Sequence, residues 1–227
     1  MNKKITAIIP VSEYTNAKTR LSPFLTTDER KQLLQYMLKD VVKVLKTEID
    51  EIILISKCDE VLNDAKKLNI TPLKEKGNSL NSALIYAIDH VHKTQPENTI
   101  LILPSDIPLI NENHINDIKN LSLTEDVIIA PSSGGGTNLL LFSNNLIQPS
   151  FGRYSFFEHK KQAKNQKIVP YIYDSFLLSL DMNIPTDLGE LLLHGKDTYT
   201  YNYLEKLGVT VESIHGKTRL NVKKEKK

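Results

Sequence analysis

The chain has 227 residues, in which 29 Lys and Arg stand against 27 Asp and Glu for a formal net charge of +2. This balance leaves no large basic field of the kind that drives non-specific nucleic-acid binding, so no nucleic-acid partner is expected. The single cysteine, Cys58, excludes an internal disulfide and a cysteine-built zinc cluster, and no stretch approaches the roughly 20 apolar residues that cross a bilayer.

A length of this order suits one α/β domain, expected over residues 1–215 and followed by a basic, flexible tail over 216–227 that ends in Lys223 to Lys227. The opening MNKKITAIIPV is charged, but its apolar run is too short for a secretory signal, and a cytoplasmic protein is expected.

In chain order, Ile5 to Val11 reads as a central strand. Thr26 to Glu29 spells a capping box, and Leu33, Leu34, Met37, Leu38, Val41, Val42 and Leu45 recur behind it at helical spacing. Ile52 to Ile55 is a second strand, followed by a helical stretch over Val61 to Leu68 and an extended piece at Ile70 to Leu73. A helix from Leu80 to His92 places Ala83, Leu84, Ala87, Ile88 and Val91 on one face, and Thr99 to Leu103 is a strand that stops at Pro104. A helix over Glu112 to Leu121, with Asn111 as its N-cap, leads to a strand at Val127 to Ala130. A glycine run then precedes Leu139 to Phe142, which reads as an antiparallel or edge element. The remainder is a helix from Phe156 to Asn165, a strand over Ile168 to Ile172, the apolar run Phe176 to Leu180 and a helix opened by Pro185. Short apolar runs alternating with amphipathic stretches mark βαβ units around a mostly parallel sheet.

Three separated segments carry the chemistry. In LPSDIPL, Asp106 stands at the end of a strand between Pro104 and Pro108, which hold the carboxylate in a rigid, non-helical loop suited to a metal. In LDMNIPTDL, Asp181 repeats that logic, and Asn183 points the same way if the segment is extended. Asp187, in the first turn after Pro185, is better suited to complement the helix N-terminus. Two carboxylates suffice for Mg²⁺, which takes its other ligands from substrate phosphates and water. In NAKTRLS, Lys18 and Arg20 follow the first strand and supply cations for a polyphosphate.

Two further motifs leave alternatives open. SGGGTN and SFGRYS offer unobstructed backbone N–H groups and a helix start at Ser155 for an anion, or they are a flexible turn and an ordinary cap. In GNSLNSAL, Gly77 and Asn81 stand at the mouth of a helix, where an amide pairs with a nucleobase or ribose or else caps the helix. No GxSxG, P-loop or GxGxxG motif and no paired-histidine spacing is present, which argues against a serine hydrolase, a P-loop NTPase, a dinucleotide-dependent dehydrogenase and a histidine-built metal site.

In this order, IIPVSEYTNAKTRLSPFLTTDER, LPSDIPL, GGGTNLLL, FGRYSFFEH and LDMNIPTDL resemble the 2-phospho-L-lactate guanylyltransferase family over essentially the whole chain. The resemblance implies an α/β, Rossmann-like fold of the glycosyltransferase-A or nucleotidyltransferase type, with a mixed sheet flanked by helices, and a homodimer acting in coenzyme F-420 biosynthesis. It implies that Asp106 and Asp181 bind Mg²⁺ and that Thr137, Gly152 and Ser155 hold the phosphorylated acid; with these, the residues read above put Lys18 and Arg20 on the phosphates of GTP and Gly77 and Asn81 near its nucleoside. Bacterial members carry an aspartate where this chain has Asn183, a poorer ligand, and they use phosphoenolpyruvate. The rival enzyme reading, a sugar-1-phosphate or molybdopterin-type nucleotidyltransferase, calls for a glycine-rich loop after the first strand, where this chain has PVSEYTNAKTR. A rival of another class, a nucleotide-binding regulatory protein without turnover, has no need of both Asp106 and Asp181.

Overall fold

The computed structural model describes residues 3–15, 17–143, 145–213 and 220–224. In chain order these form β1 (Ile5–Pro10), a 3-10 turn (Thr19–Leu21), α1 (Thr27–Leu45), β2 (Glu51–Ser56), α2 (Asp59–Lys67), β3 (Thr71–Lys74), α3 (Leu80–Thr94), β4 (Thr99–Ile102) and α4 (Glu112–Leu121). They continue as β5 (Val127–Pro131), β6 (Thr137–Phe142), α5 (Ser155–Asn165), β7 (Tyr171–Ile172), α6 (Phe176–Ser179), α7 (Pro185–His194), α8 (Tyr199–Lys206), β8 (Val209–Ser213) and β9 (Leu220–Lys224).

Seven strands make one sheet in the order β3-β2-β1-β4-β6-β5-β7. All neighbours are parallel except β6, which runs antiparallel to both β4 and β5. The fold is therefore α/β with a mixed sheet flanked by helices. The central strands are apolar on both faces because helices cover both. Alternate residues divide between two cores. Ile5, Ala7, Ile9, Leu54, Leu101 and Leu139 meet α1, α2, α4 and α7 on one side, while Ile8, Ile53, Ile100, Ile102 and Leu140 meet α3 and α5 on the other.

Local signals account for the helix starts. Thr26 Oγ1 accepts from Glu29 N while Glu29 Oε2 accepts from Thr26 N, closing the capping box of α1. Asn111 caps α4 through its side-chain oxygen, at 3.2 Å from His114 N. Asp187 accepts from the backbone of Asn183 and Ile184 at 2.7 and 2.8 Å and fixes the entry to α7.

Several expectations are corrected. The strand expected over Ile168 to Ile172 is reduced to Tyr171–Ile172, since only this pair bonds to β5. The run Phe176 to Leu180 contains a short helix capped by Ser175, whose hydroxyl accepts from Leu178 N at 3.4 Å. Within the expected tail, Leu220–Lys224 is a strand paired antiparallel with β8. Leu220 and Val222 lie over Gly189 of α7, so a basic sequence is ordered here by apolar contact with a distant helix. Residues 214–219 and 225–227 of that region lie outside the described residues.

Candidate active site

The chain passes outward from β1 through β2 to β3 and then returns to β4 on the opposite side of β1, so β1 and β4 flank a topological switch point. Open α/β sheets bind ligands in the crevice beyond the carboxyl ends of such strands. The loop after β1 supplies Lys18 and Arg20, and the loop after β4 supplies Asp106. Asp181 arrives from the loop between α6 and α7, fastened by a 2.9 Å bond from Met182 N to the Asp106 carbonyl. Asn138, buried on β6, donates to the Leu178 carbonyl at 2.9 Å and steadies the approach to Asp181.

Lys18 adopts a left-handed backbone, φ 55° and ψ 38°, a conformation that costs a non-glycine residue about 1 kcal/mol. The ammonium donates to Asp106 Oδ2 and, at 2.8 Å, to Asn183 Oδ1. Asn183 Nδ2 in turn donates to Asp181 Oδ2, which places Asn183 on the same side as Asp181 as an extended segment requires. Burial and then the negative charge of Asp106 raise the Asp181 carboxyl above the usual carboxylate range. Arg20 is exposed on the wall of a cavity of about 440 Å³ that Lys18, Ser105, Asp106 and Asn183 also line. A second cavity of about 420 Å³, lined by Asp40, Asn111, His194 and Thr198, holds none of the expected site residues.

These donors suit a divalent cation. Asp106 Oδ1 is buried and has no hydrogen-bond partner among the described residues, and a buried carboxylate oxygen left in that state calls for a positive ligand. Among the described residues no cluster of three or more His, Cys, Asp or Glu forms a protein cage. A cation here would take two carboxylates from the protein and its remaining oxygens from phosphate and water, the pattern of magnesium rather than zinc.

The second cluster surrounds Thr137. Continuing the β4–β6 register by three residues sets Thr137 level with Ser105, at the same end of the sheet as Asp106. Ser155 Oγ donates to Thr137 Oγ1 at 3.2 Å, so this hydroxyl faces Thr137 and does not cap α5. Tyr154, at φ 63° and without a side-chain cap bond, precedes the helix. Gly152 has φ 141° with open space where a Cβ would stand, so its backbone conformation, and not crowding, requires glycine.

Asn81, expected near the nucleotide, bonds to a loop of the protein. Its amide donates to Phe151 O at 3.0 Å and accepts from Phe151 N at 2.8 Å, a two-point clamp that joins the first turn of α3 to the loop carrying Gly152. Gly77 makes room for the cap of α3, since a Cβ there would lie 2.3 Å from Ser82 Oγ. Sequence reasoning overlooked Asn138 and His159, although they lie inside the GGGTN and FGRYSFFEH motifs.

Comparison with known proteins gives a family and a fold. The family model described as "Guanylyl transferase CofC like" matches residues 5–225. The chain is 50% identical over 226 residues to the 2-phospho-L-lactate guanylyltransferase of Methanosphaera stadtmanae, covering 98% of both chains. It is 48% identical over 214 residues to the protein of the same name from Methanocaldococcus jannaschii, covering 93% of both. Among solved structures it resembles a putative nucleotide-diphospho-sugar transferase from Desulfovibrio desulfuricans, with a TM-score of 0.73, 15% identity and coverage of 90% of this chain and 95% of that one. It also resembles 4-diphosphocytidyl-2C-methyl-D-erythritol synthase from Anaerococcus prevotii, with a TM-score of 0.59, 13% identity and coverage of 90% and 100%.

Proposed function

The chain belongs to the family of CofC-like guanylyl transferases, and from that membership we propose that it joins GTP to (2S)-2-phospholactate in coenzyme F-420 biosynthesis. The products are lactyl-2-diphospho-5′-guanosine and pyrophosphate. The observation that carries this reading is the meeting of Asp106, Asp181 and Lys18 beyond the switch point, with one oxygen of Asp106 buried and without a hydrogen-bond partner among the described residues. Homodimeric assembly and a cytoplasmic location belong to the same proposal. No helix among the described residues is long and apolar enough to cross a membrane.

A phosphomonoester loses its second proton near pH 6, so 2-phospholactate is already a dianionic nucleophile at neutral pH and no general base is needed. One of its phosphate oxygens bonds to the α-phosphorus of GTP while the bond from that phosphorus to the bridging oxygen breaks, and pyrophosphate carries the electron pair away. Electrostatics is the main obstacle, because unit charges about 4 Å apart at an effective dielectric near 20 repel by about 4 kcal/mol. Asp106 and Asp181 would hold Mg²⁺, which when bound supplies the charge compensation that two polyanions need. Lys18, leaving its partners Asp106 and Asn183, and Arg20, on the cavity wall, bind the β- and γ-phosphates and stabilise the departing pyrophosphate. Thr137, Gly152 and Ser155 hold the acceptor for in-line attack.

The test is pyrophosphate release by the purified protein with Mg²⁺ and GTP, with ATP as the control nucleotide. The acceptors are 2-phospho-L-lactate, phosphoenolpyruvate and none. Release that needs both GTP and 2-phospholactate is expected. A preference for phosphoenolpyruvate would retain the reaction and replace the acceptor. A folded protein that binds GTP and releases nothing with either acid would refute the proposal.

A further inference from the structure

We propose that His159 is a positioning residue of the acceptor site, a neutral imidazole whose Nδ1–H fixes the Thr137 hydroxyl as a hydrogen-bond donor to the phosphorylated acid. This rests on Thr137 and Ser155 being the groups that hold that acid.

Hydrogen-bond direction decides the tautomer. His159 is 0% exposed and lies on α5, with both ring nitrogens engaged. Its Nε2 stands 3.1 Å from the backbone nitrogen of Ser150, and a backbone N–H can only donate, so Nε2 is the acceptor. A neutral imidazole then carries its proton on Nδ1, which lies 2.9 Å from Thr137 Oγ1 and donates to it. Burial holds the imidazole well below its ordinary pKa, in keeping with the neutral form.

Thr137 Oγ1 therefore accepts from His159 Nδ1 and from Ser155 Oγ, which fills both of its lone pairs. Its own proton has no acceptor among the hydrogen bonds of the described residues and is left for a ligand. A free threonine hydroxyl rotates between donating and accepting, whereas this one is committed to donate, and an anionic acceptor rewards a donor that need not reorganise. The same histidine anchors the loop it serves. Ser150, bonded to Nε2, is two residues before Gly152, and Asn81 clamps the intervening Phe151, whose ring meets the His159 ring edge-on at 5.0 Å.

Two substitutions separate the two bonds. In His159→Gln the longer amide reaches the Nε2 position and retains an acceptor for Ser150, while the donor to Thr137 is lost. In His159→Asn the shorter amide reaches the Nδ1 position and retains that donor. The KM for 2-phospholactate should rise about 10-fold or more in His159→Gln, with the KM for GTP within about twofold of wild type, and His159→Asn should recover most of the loss. An unchanged acceptor KM in His159→Gln, or an equal rise in both KM values, would overturn the proposal.

Nitrogen-15 NMR of the wild-type protein near pH 7 tests it without any variant. A neutral ring protonated on Nδ1 is expected, with a resonance that moves when 2-phospholactate is added to the protein with GTP. A ring protonated on Nε2, a charged ring or an unmoved resonance would overturn it. Failure of the wild type to release pyrophosphate would instead remove the proposed reaction, and the same titration would still decide the role of His159.

Discussion

Acid should weaken this fold through His159, and the size of the effect follows from its burial. The imidazole pKa is lowered from 6.5 to about 4, with burial as the cause. Because the folded pKa lies below the unfolded one, the unfolded chain binds the extra proton first as pH falls, so stability is complete above pH 6.5 and is lost toward pH 4. A tenfold difference in proton affinity between the folded and unfolded chain is worth about 1.36 kcal/mol, giving about 3.4 kcal/mol in full, of which about 2.4 kcal/mol develops between about pH 7 and pH 4.5. Urea unfolding of wild type and His159→Gln at those two pH values measures it as a difference of differences. His114, also lowered mainly by burial, acts in the same direction, while the raised carboxyls of Asp40 and Asp181 act in the opposite one. All three groups are present in both proteins and cancel. The wild type should lose about 2 kcal/mol more than the variant on acidification. Equal losses would refute the assignment of a buried neutral imidazole.

Asp106→Asn should lower kcat by about 100-fold or more at saturating Mg²⁺, the scale of losing one principal electrostatic contact, and near wild-type turnover would remove Asp106 from the metal site. Lys18→Ala and Arg20→Ala should each raise the KM for GTP or lower kcat by about 10-fold, on the scale of one charge-assisted hydrogen bond, and steady-state kinetics in which neither constant moves in either variant would exclude both from the triphosphate. Asn81→Ala removes both bonds to Phe151, so the acceptor KM should rise more than the GTP KM, whereas a rise in GTP KM alone would restore Asn81 to the nucleotide. Asp40→Ala leaves the buried donors of Thr200 and the N–H of Tyr199 without their carboxylate and should cost about 2 kcal/mol in urea unfolding, while a loss below about 0.5 kcal/mol would show that water replaces the cap.

The features legible in the sequence were those whose causes lie within a few residues. The capping box at Thr26, the Asn111 cap and Pro185 at a helix start are local hydrogen-bonding and dihedral effects, and each stands where the spacing put it. The apolar runs Ile52 to Ile55 and Thr99 to Leu103 became central strands because no other element buries so short a run on both faces. Asp106 was readable as a candidate from the prolines on either side and Asp181 from the apolar run that it follows, and the family could be read from five ordered motifs.

Tertiary structure decided whatever depends on partners far apart in the chain. Asn81, which in sequence could meet a base or cap its helix, bonds to the backbone of Phe151, 70 residues away, a partner that no local pattern announces. The start of α8 has a local cap in Thr198, but the carboxylate that also holds its first N–H groups comes from Asp40 of α1, 159 and 160 residues away. Leu220–Lys224 read as part of a solvated tail because it runs into the basic stretch Lys223 to Lys227, yet pairing with β8 and the cover of Leu220 and Val222 over Gly189 order it. His159 is the clearest case. In sequence it is one histidine on an amphipathic helix, and only the positions of Ser150 and Thr137 determine which nitrogen holds the proton. Residue types set which groups can donate, accept or carry charge; the fold determines which of them meet, and so which proton remains for a ligand.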